Sequence, residues 1–228
     1  MSGVSKAIVQ PLLSWYDAGH RDLPWRSEPA PYRVWVSEIM LQQTRVEAVR
    51  GYFSRWMNAL PDIPALAAAD EAVYTKLWEG LGYYSRVRNL HRAAVLLCEQ
   101  YGGELPADYD RLLALPGVGE YTAGAVASIA FGLPVPAVDG NVLRVAARLD
   151  NDFTPITDAK FKKQTRERFA ALMPSDRPGD LNQSLMELGA TVCLPNGAPK
   201  CEVCPLFDQC LAGLFFLNSL IALRIAQS

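Results

Sequence analysis

Four of the five cysteines in this 228-residue chain lie within 18 residues of one another, in the pattern Cys193-x7-Cys201-x2-Cys204-x5-Cys210. Thiols that close together can converge on one centre, and thiolates are the ligands of zinc and of iron–sulfur clusters. Four-cysteine zinc sites more often join two C-x2-C pairs by a longer loop, whereas this chain has one such pair flanked by unequal gaps. The spacing therefore favours iron–sulfur, with zinc as the alternative. Five cysteines are too few for a disulfide-stapled scaffold, which points to a reducing compartment. Cys98 stands apart on the apolar stretch Ala93-Ala94-Val95-Leu96-Leu97-Cys98 and reads as core.

Elsewhere apolar residues recur at helical spacing, and alternating strands are absent. Expected helices run over Ser5–Ala18, Tyr32–Leu60, Ala65–Ala69, Glu71–Glu79, Ser85–Tyr101, Asp108–Ala114, Glu120–Phe131, Asn141–Leu149, Ala159–Ala171 and Pro178–Thr191. Most of the breaks carry Pro or Gly, as at Pro61, Gly80, Gly82, Gly102-Gly103, Pro116-Gly117, Gly132 and Pro174. The fold class is all-α, with about ten short helices. Half the residues are hydrophobic and 20% are charged, which excludes a disordered chain. The net charge is −2 with no polybasic tail, so any nucleic-acid contact must come from a local patch. Met1–Gln10 lacks the apolar run of a signal peptide. Leu211–Ser228 is apolar but interrupted by Asn218, Ser219 and Arg224. It is too broken for a membrane span and reads as a packed terminal helix or as a segment foreign to the rest.

Leu115-Pro116-Gly117-Val118-Gly119 sits between two short expected helices. Gly117 and Gly119 would allow a tight turn that presents backbone N–H groups beside a helix start, where a phosphate is attracted without side-chain charge. An ordinary interhelical loop is the alternative. Further on, Ala137-Val138-Asp139-Gly140-Asn141 opens another helix, which Asp139 could simply cap. Capping is the commoner role for such an Asp, and its setting would also suit a carboxylate held close to a substrate. Glu38 is read on a helix face shared with Gln42 and Arg45, at i+4 and i+7.

Together these segments resemble the endonuclease III superfamily of DNA glycosylases, and more closely its MutY-type branch of adenine DNA glycosylases. The resemblance is carried by Leu23-Pro24-Trp25-Arg26, Val34–Thr44, Trp78–Arg86, Leu115–Thr122, Ala137–Val142 and Glu187-Leu188-Gly189-Ala190, and covers about residues 5–210. It implies two helical lobes with DNA in the cleft between them. One would be a six-helix barrel with the helix–hairpin–helix (24–134); the other would join 1–23 and 135–210 around a [4Fe–4S] cluster. The cluster ligands would be Cys193, Cys201, Cys204 and Cys210, although the first gap holds seven residues where the family usually has six. The match stops near Cys210, so the chain is expected to lack the family's C-terminal domain, which inspects the base opposite adenine. Weak discrimination of that base is expected, and 211–228 has no role in this scheme.

By the same resemblance Glu38 would be the general acid that protonates the adenine ring. Asp139 would face the sugar cation, as in two-carboxylate glycosidases, and Asn141 would orient it. Tyr121 stands where bifunctional relatives carry a Schiff-base lysine, which implies a monofunctional enzyme. Gln42, Gln43 and Tyr83 would fill or wedge the gap left by the flipped base. Trp25, Arg26, Leu41 and Glu187 would surround the extruded base. Arg86, Arg88 and Arg92, with Arg144, Arg148, Lys160, Lys162 and Lys163, are candidates for phosphate contact. The expected partner is mispaired or damaged duplex DNA, bound by a cytoplasmic monomer (nucleoid-associated in a prokaryote) with no membrane association. Alternatives are a T·G or U·G mismatch glycosylase and a catalytically idle DNA-binding module.

Overall fold

A computed structural model describes residues 4–214. Among these it is wholly helical, with eleven α-helices and three 3₁₀ turns and no strand. Two compact units emerge. One is Asp22–Ala137; the other combines the described parts of Met1–Arg21 and Val138–Ser228. No described helix is long and apolar enough to cross a membrane.

The Asp22–Ala137 unit holds α2 (Pro31–Leu41), α3 (Val46–Ala59), α4 (Ile63–Ala67), α5 (Glu71–Leu77), α6 (Ser85–Tyr101), α7 (Tyr109–Leu113) and α8 (Glu120–Phe131). Local chemistry sets most of the ends. Asp62 and Asp108 accept the N–H of Ala65 and Arg111 at 2.8 and 2.9 Å, capping α4 and α7. Gly102 and Gly132 end α6 and α8 in the left-handed conformation. The core is built on Trp35, Trp56, Trp78 and Phe53, all at most 1% exposed. Trp56 meets Trp78 edge-on at 5.6 Å and donates its indole N–H to Tyr32 at 3.0 Å; the Tyr32 hydroxyl in turn donates to the carbonyl of Leu60. Cys98 packs against this core.

The second unit holds α1 (Val9–Gly19), α9 (Gly140–Asp150), α10 (Ala159–Ala170) and α11 (Pro178–Thr191). α1 and α9 both pack on α11. Ile8, Leu12, Val145, Leu149, Leu185 and Leu188 fill the space between them. Short 3₁₀ turns at Cys201–Val203 and Phe207–Gln209 carry the cysteine segment past this core. Of the apolar tail, only Leu211–Leu214 is described, as a helical turn; the remainder of that reading lies outside the described residues.

One expected helix is corrected. Tyr32–Leu60 is two helices, because the chain leaves helical geometry at Gln42 and turns through Gln43 in the left-handed region (φ 58°) before restarting at Arg45. The shared face of Glu38, Gln42 and Arg45 therefore does not exist. Glu38 lies within α2, Gln42 is its C-cap and Arg45 is the N-cap of α3.

α8 depends on a close approach to the chain that follows it. A Cβ on Gly124 would lie 2.4 Å from the carbonyl oxygen of Pro136. Gly124→Ala should destabilise the protein by about 1–3 kcal/mol despite alanine's better helix propensity, because backbone must move to admit the methyl group. Denaturant unfolding of the two proteins measures this.

Candidate active site

Within the Asp22–Ala137 unit, α2 and α8 bring Glu38 and Tyr121 together. Glu38 is only 6% exposed, within a stretch of α2 from Val34 to Met40 that is buried throughout. A carboxyl group buried in such surroundings needs a hydrogen-bond partner. The Tyr121 hydroxyl supplies one, donating to Glu38 Oε2 at 2.6 Å. One residue on, Thr122 Oγ1 meets Gln42 Nε2 at 3.4 Å.

The hairpin ahead of α8 has the geometry its sequence suggests. Gly117 is left-handed (φ 76°), and a Cβ there would lie 2.6 Å from Asn89 Cβ, so both torsion and space require glycine. Gly119 is the N-cap of α8 in an extended conformation and makes no side-chain cap bond, and Gly119 and Glu120 are exposed. An uncapped helix start of this kind can receive an anion.

Two exposed side chains rise from strained turns. Gln43 and Tyr83 are non-glycine residues at φ 58° and 47°, and Tyr83 is 63% exposed. A left-handed non-glycine residue costs on the order of 1–3 kcal/mol and persists only where its surroundings fix it. Here Arg86 is half-buried against both turns. Its Nη1 donates to the carbonyls of Ile39, Met40 and Gln42 at 2.9, 3.2 and 2.5 Å, and its Nη2 to those of Leu81 and Gly82 at 2.9 and 3.2 Å. Arg86 was expected at phosphate; the structure instead commits its guanidinium to five backbone carbonyls.

In the second unit, Asp139 both caps α9 and is held by its surroundings. Its Oδ1 accepts the Val142 N–H at 2.8 Å, and its Oδ2 accepts Asn141 Nδ2 at 2.7 Å. Burial pushes the Asp139 carboxyl above the usual carboxylate range, opposed by these hydrogen bonds and by the positive charge of Arg144. Arg144 fixes Asn141, donating from Nη2 to Asn141 Oδ1 and to the carbonyl of Gly189, both at 2.8 Å. Its Nε reaches the carbonyl of Cys193 at 3.0 Å. A Cβ on Gly189 would stand 2.5 Å from Asn141 Cβ, so α11 also confines this asparagine.

Other expected site residues are placed differently. Trp25 is core, 6% exposed and edge-on to Phe53 at 5.5 Å, not a surface for a base. Leu41 packs against the same core, and Arg26 is half-buried on the turn after Leu23. Glu187 is 2% exposed and bound by Arg21, with Nε to Oε1 at 2.6 Å and Nη2 to Oε2 at 2.8 Å. That fork ties the chain just after α1 to α11 and occupies both carboxylate oxygens. Arg88 pairs with Glu71, Arg92 bonds Asn89, and Arg148 donates to Cys193 Sγ at 3.1 Å and to the Leu194 carbonyl at 2.9 Å. Lys160, Lys162 and Lys163 are exposed. The sequence reading missed Arg21 and the positioning role of Arg144. Arg144 stands at i+3 from Asn141, a spacing that signals such a contact; nothing local signals Arg21.

Cys193, Cys201, Cys204 and Cys210 are half-buried and form no disulfide, and three of them pack on the core of this unit. Burial first, then the neighbouring cysteines, pushes the thiols of Cys201 and Cys210 up and that of Cys204 up to about 11. Cys193 Sγ receives the Arg148 guanidinium, and Cys210 Sγ receives the Gly213 N–H and donates to the Arg148 carbonyl, both at 3.4 Å. Among the described residues, no three His, Cys, Asp or Glu side chains are drawn close enough for a single ion. In donor chemistry, four sulfur ligands with an arginine and an N–H directed at them fit a thiolate-bound, anionic centre.

A family model described as HhH-GPD superfamily base excision DNA repair protein matches residues 36–173. The chain belongs to this superfamily. It is 47% identical over 210 residues to the adenine DNA glycosylase of Mus musculus and 46% identical over 210 residues to that of Homo sapiens, each match covering 88% of this chain. It is 37% identical over 206 residues to that of Buchnera aphidicola from Acyrthosiphon pisum, covering 89% of this chain. The chain spans 41% of the mouse, 38% of the human and 58% of the Buchnera protein. Among solved structures, a thermostable thymine-DNA glycosylase superposes with a TM-score of 0.82 at 29% identity, covering 91% of this chain and 95% of the other. A non-covalent endonuclease III–DNA complex superposes at 0.75 and 24% identity, covering 94% and 99%, and establishes the fold of this superfamily.

The Asp139 carboxyl should titrate above the ~3.9 of a free aspartate. The folded state holds that proton more tightly than the unfolded chain. The group's contribution to stability is therefore full at acid pH and is lost as pH rises through the raised pKa. Carboxyl-carbon NMR, with Asp139→Asn to assign the resonance, measures it; a midpoint at or below the free value would contradict the burial.

Proposed function

We propose that this chain is a monofunctional DNA glycosylase that removes adenine mispaired with 8-oxoguanine or guanine from duplex DNA. The observation that carries the reading is the 2.6 Å bond between Tyr121 and Glu38, in a chain 46–47% identical over most of its length to mammalian adenine DNA glycosylases. Adenine leaves poorly as an anion, so a proton must reach its ring as the N-glycosidic bond breaks. Buried Glu38 supplies that proton, and the Tyr121 hydroxyl holds the carboxyl in place. The departing base takes the bonding electrons and leaves an oxocarbenium-like sugar. Asp139, kept in one orientation by the Val142 N–H and by Asn141, carries the negative charge that meets this cation or bonds to it. Water completes the hydrolysis, with Glu38, now ionised, accepting its proton. Tyr121 is a phenol where a lyase needs an amine, so no Schiff base forms and the strand is not cut.

Cys193, Cys201, Cys204 and Cys210 would hold a [4Fe–4S] cluster, which when bound supplies a cross-link for the Cys193–Cys210 segment. The hairpin at Gly117 and Gly119, with the open start of α8, receives a backbone phosphate. Gln43 and Tyr83 wedge the duplex while the base is out. The protein acts as a monomer, in the cytoplasm and, in a prokaryote, at the nucleoid. A second reading, thymine or uracil removal from T·G and U·G, is favoured by the thymine-DNA glycosylase that matches over 95% of its length. Duplexes carrying A·8-oxoG, A·G, T·G and U·G decide between them. Free adenine is expected from the first two, and release of thymine or uracil alone would overturn the adenine reading.

Glu38→Gln should lower adenine release by at least about 10²–10⁴-fold while leaving duplex binding intact, because the amide cannot give up the same proton. Single-turnover base release alongside a binding titration checks this, and near-normal release would remove Glu38 as the acid. Anaerobically purified protein should contain about four irons per chain and absorb broadly in the visible. Stoichiometric zinc without iron would contradict the cluster.

A further inference from the structure

Gln43 and Tyr83 stand on different turns, one closing α2 and the other opening α6. One side chain touches both. Arg86 Nη1 takes three carbonyls of the first turn, Ile39, Met40 and Gln42, and Nη2 takes two of the second, Leu81 and Gly82. Its guanidinium also lies over the Tyr83 ring, 5.6 Å from the centroid, and over the Trp78 ring at 5.3 Å. The Trp78 indole in turn donates to the Gly82 carbonyl at 3.1 Å. Arg86 further lines a cavity of about 80 Å³ whose walls include Gln42, Asn89 and Gly117 of the hairpin.

From this we infer that Arg86 is a positioning residue that locks the Gln43 and Tyr83 turns into one rigid wedge, so that the two side chains enter the duplex together rather than independently. The inference rests on the wedge role proposed above for those side chains. Arginine is suited to the task and lysine is not. A planar guanidinium presents two separate nitrogens at a fixed angle, one for each turn. An ammonium offers a single point that can satisfy one set of carbonyls but not both. The left-handed torsions at Gln43 and Tyr83 are then held by the same fork that faces them, which aims both side chains outward before DNA arrives. A pre-set geometry of this kind avoids ordering two loops on binding.

The test uses the full chain and a duplex with an A·G mispair, carrying 2-aminopurine beside the adenine to report unstacking. Arg86→Lys keeps the charge, and Arg86→Met removes it; thermal unfolding selects the variant that remains folded at the assay temperature. Unstacking by the Arg86 variant should fall by up to about 100-fold in rate, the scale of a misplaced recognition group. In wild type, Gln43→Ala and Tyr83→Ala together should cost little more than either alone. In the Arg86 variant their effects should become independent and multiply, a loss of coupling that general destabilisation does not produce. Hydrogen exchange of the free protein should show residues 42–44 and 81–83 losing protection together in that variant, while the core of α6 keeps it. Unchanged coupling, unstacking within twofold of wild type, or exchange altered at one turn only overturns the proposal, and wild-type binding without unstacking overturns the wedge itself. Wild-type protein that unstacks the duplex but releases no adenine refutes the adenine reading instead, and the coupling comparison, which reads unstacking alone, still decides the role of Arg86.

Discussion

The end of α2 is the point on which the Asp22–Ala137 unit turns. A helix leaves its last four carbonyls without intrahelical partners, and a buried one left unsatisfied costs about 1–3 kcal/mol. α2 carries Glu38 in its interior and runs out at Leu41, three residues later. The Ile39, Met40 and Gln42 carbonyls are received by Arg86, and the Leu41 carbonyl by the Thr44 N–H at 3.2 Å. Because Arg86 belongs to the first turn of α6, the end of one helix is fixed to the start of another. Glu38 lies less than a turn back along the same rigid rod, while α8 packs alongside α2 and delivers Tyr121. Glu38, Tyr121 and the turns that carry Gln43 and Tyr83 thus share one frame, set by polar groups that stop a helix.

The second unit solves a similar problem at the other end of a helix. α9 opens on Asp139, whose carboxylate does what any N-cap does and accepts an N–H from the first turn. Ordinarily that group would be solvated and freely ionised. Here burial disfavours the charge while Val142, Asn141 and Arg144 favour it, so the carboxyl is held between two opposing effects with burial the larger. A structural cap and a poised carboxylate are therefore one group in two descriptions. Asn141, gripped by Arg144 and by the absence of a side chain at Gly189, allows it little choice of rotamer.

The boundaries of the helices were legible wherever the chain itself carries the signal. Ser85–Tyr101, Glu120–Phe131 and Pro178–Thr191 have the ends the residues suggest, set by Gly102, Gly132 and Pro178. Gln42-Gln43-Thr44-Arg45 contains neither Gly nor Pro, and its composition reads as helix; what breaks it is an arginine more than forty residues later in the sequence. Glu187 is a parallel case. Its partner Arg21 is 166 residues away, so the sequence displays an acid in a familiar motif and hides the fork that occupies it. The cysteines stood out as donors by residue type and spacing, whereas Glu38, Tyr121 and the sugar-facing part given to Asp139 came from resemblance to the family. The roles of Arg86, Arg144 and Trp25 were not, because each is decided by what packs against it.

Those two turns also explain a choice that composition alone would call uneconomical. Gly80 and Gly82 show that the chain uses glycine freely around Tyr83, and a glycine at position 43 or 83 would adopt the same left-handed torsion without the cost of a side chain. The chain instead carries a glutamine and a tyrosine there, each at an expected cost on the order of 1–3 kcal/mol. Relaxing the backbone would also remove the group that the backbone presents, since a left-handed residue at the tip of a turn directs its side chain away from the body of the protein. Tyr83 is accordingly among the most exposed large hydrophobic residues, although Trp78, which packs on the same Arg86 guanidinium, is buried. Exposure of that kind is unfavourable in isolation and favourable only against a surface that supplies something to stack on, such as the faces of unpaired bases. The five carbonyls on Arg86 are what make the strained conformation the resting one.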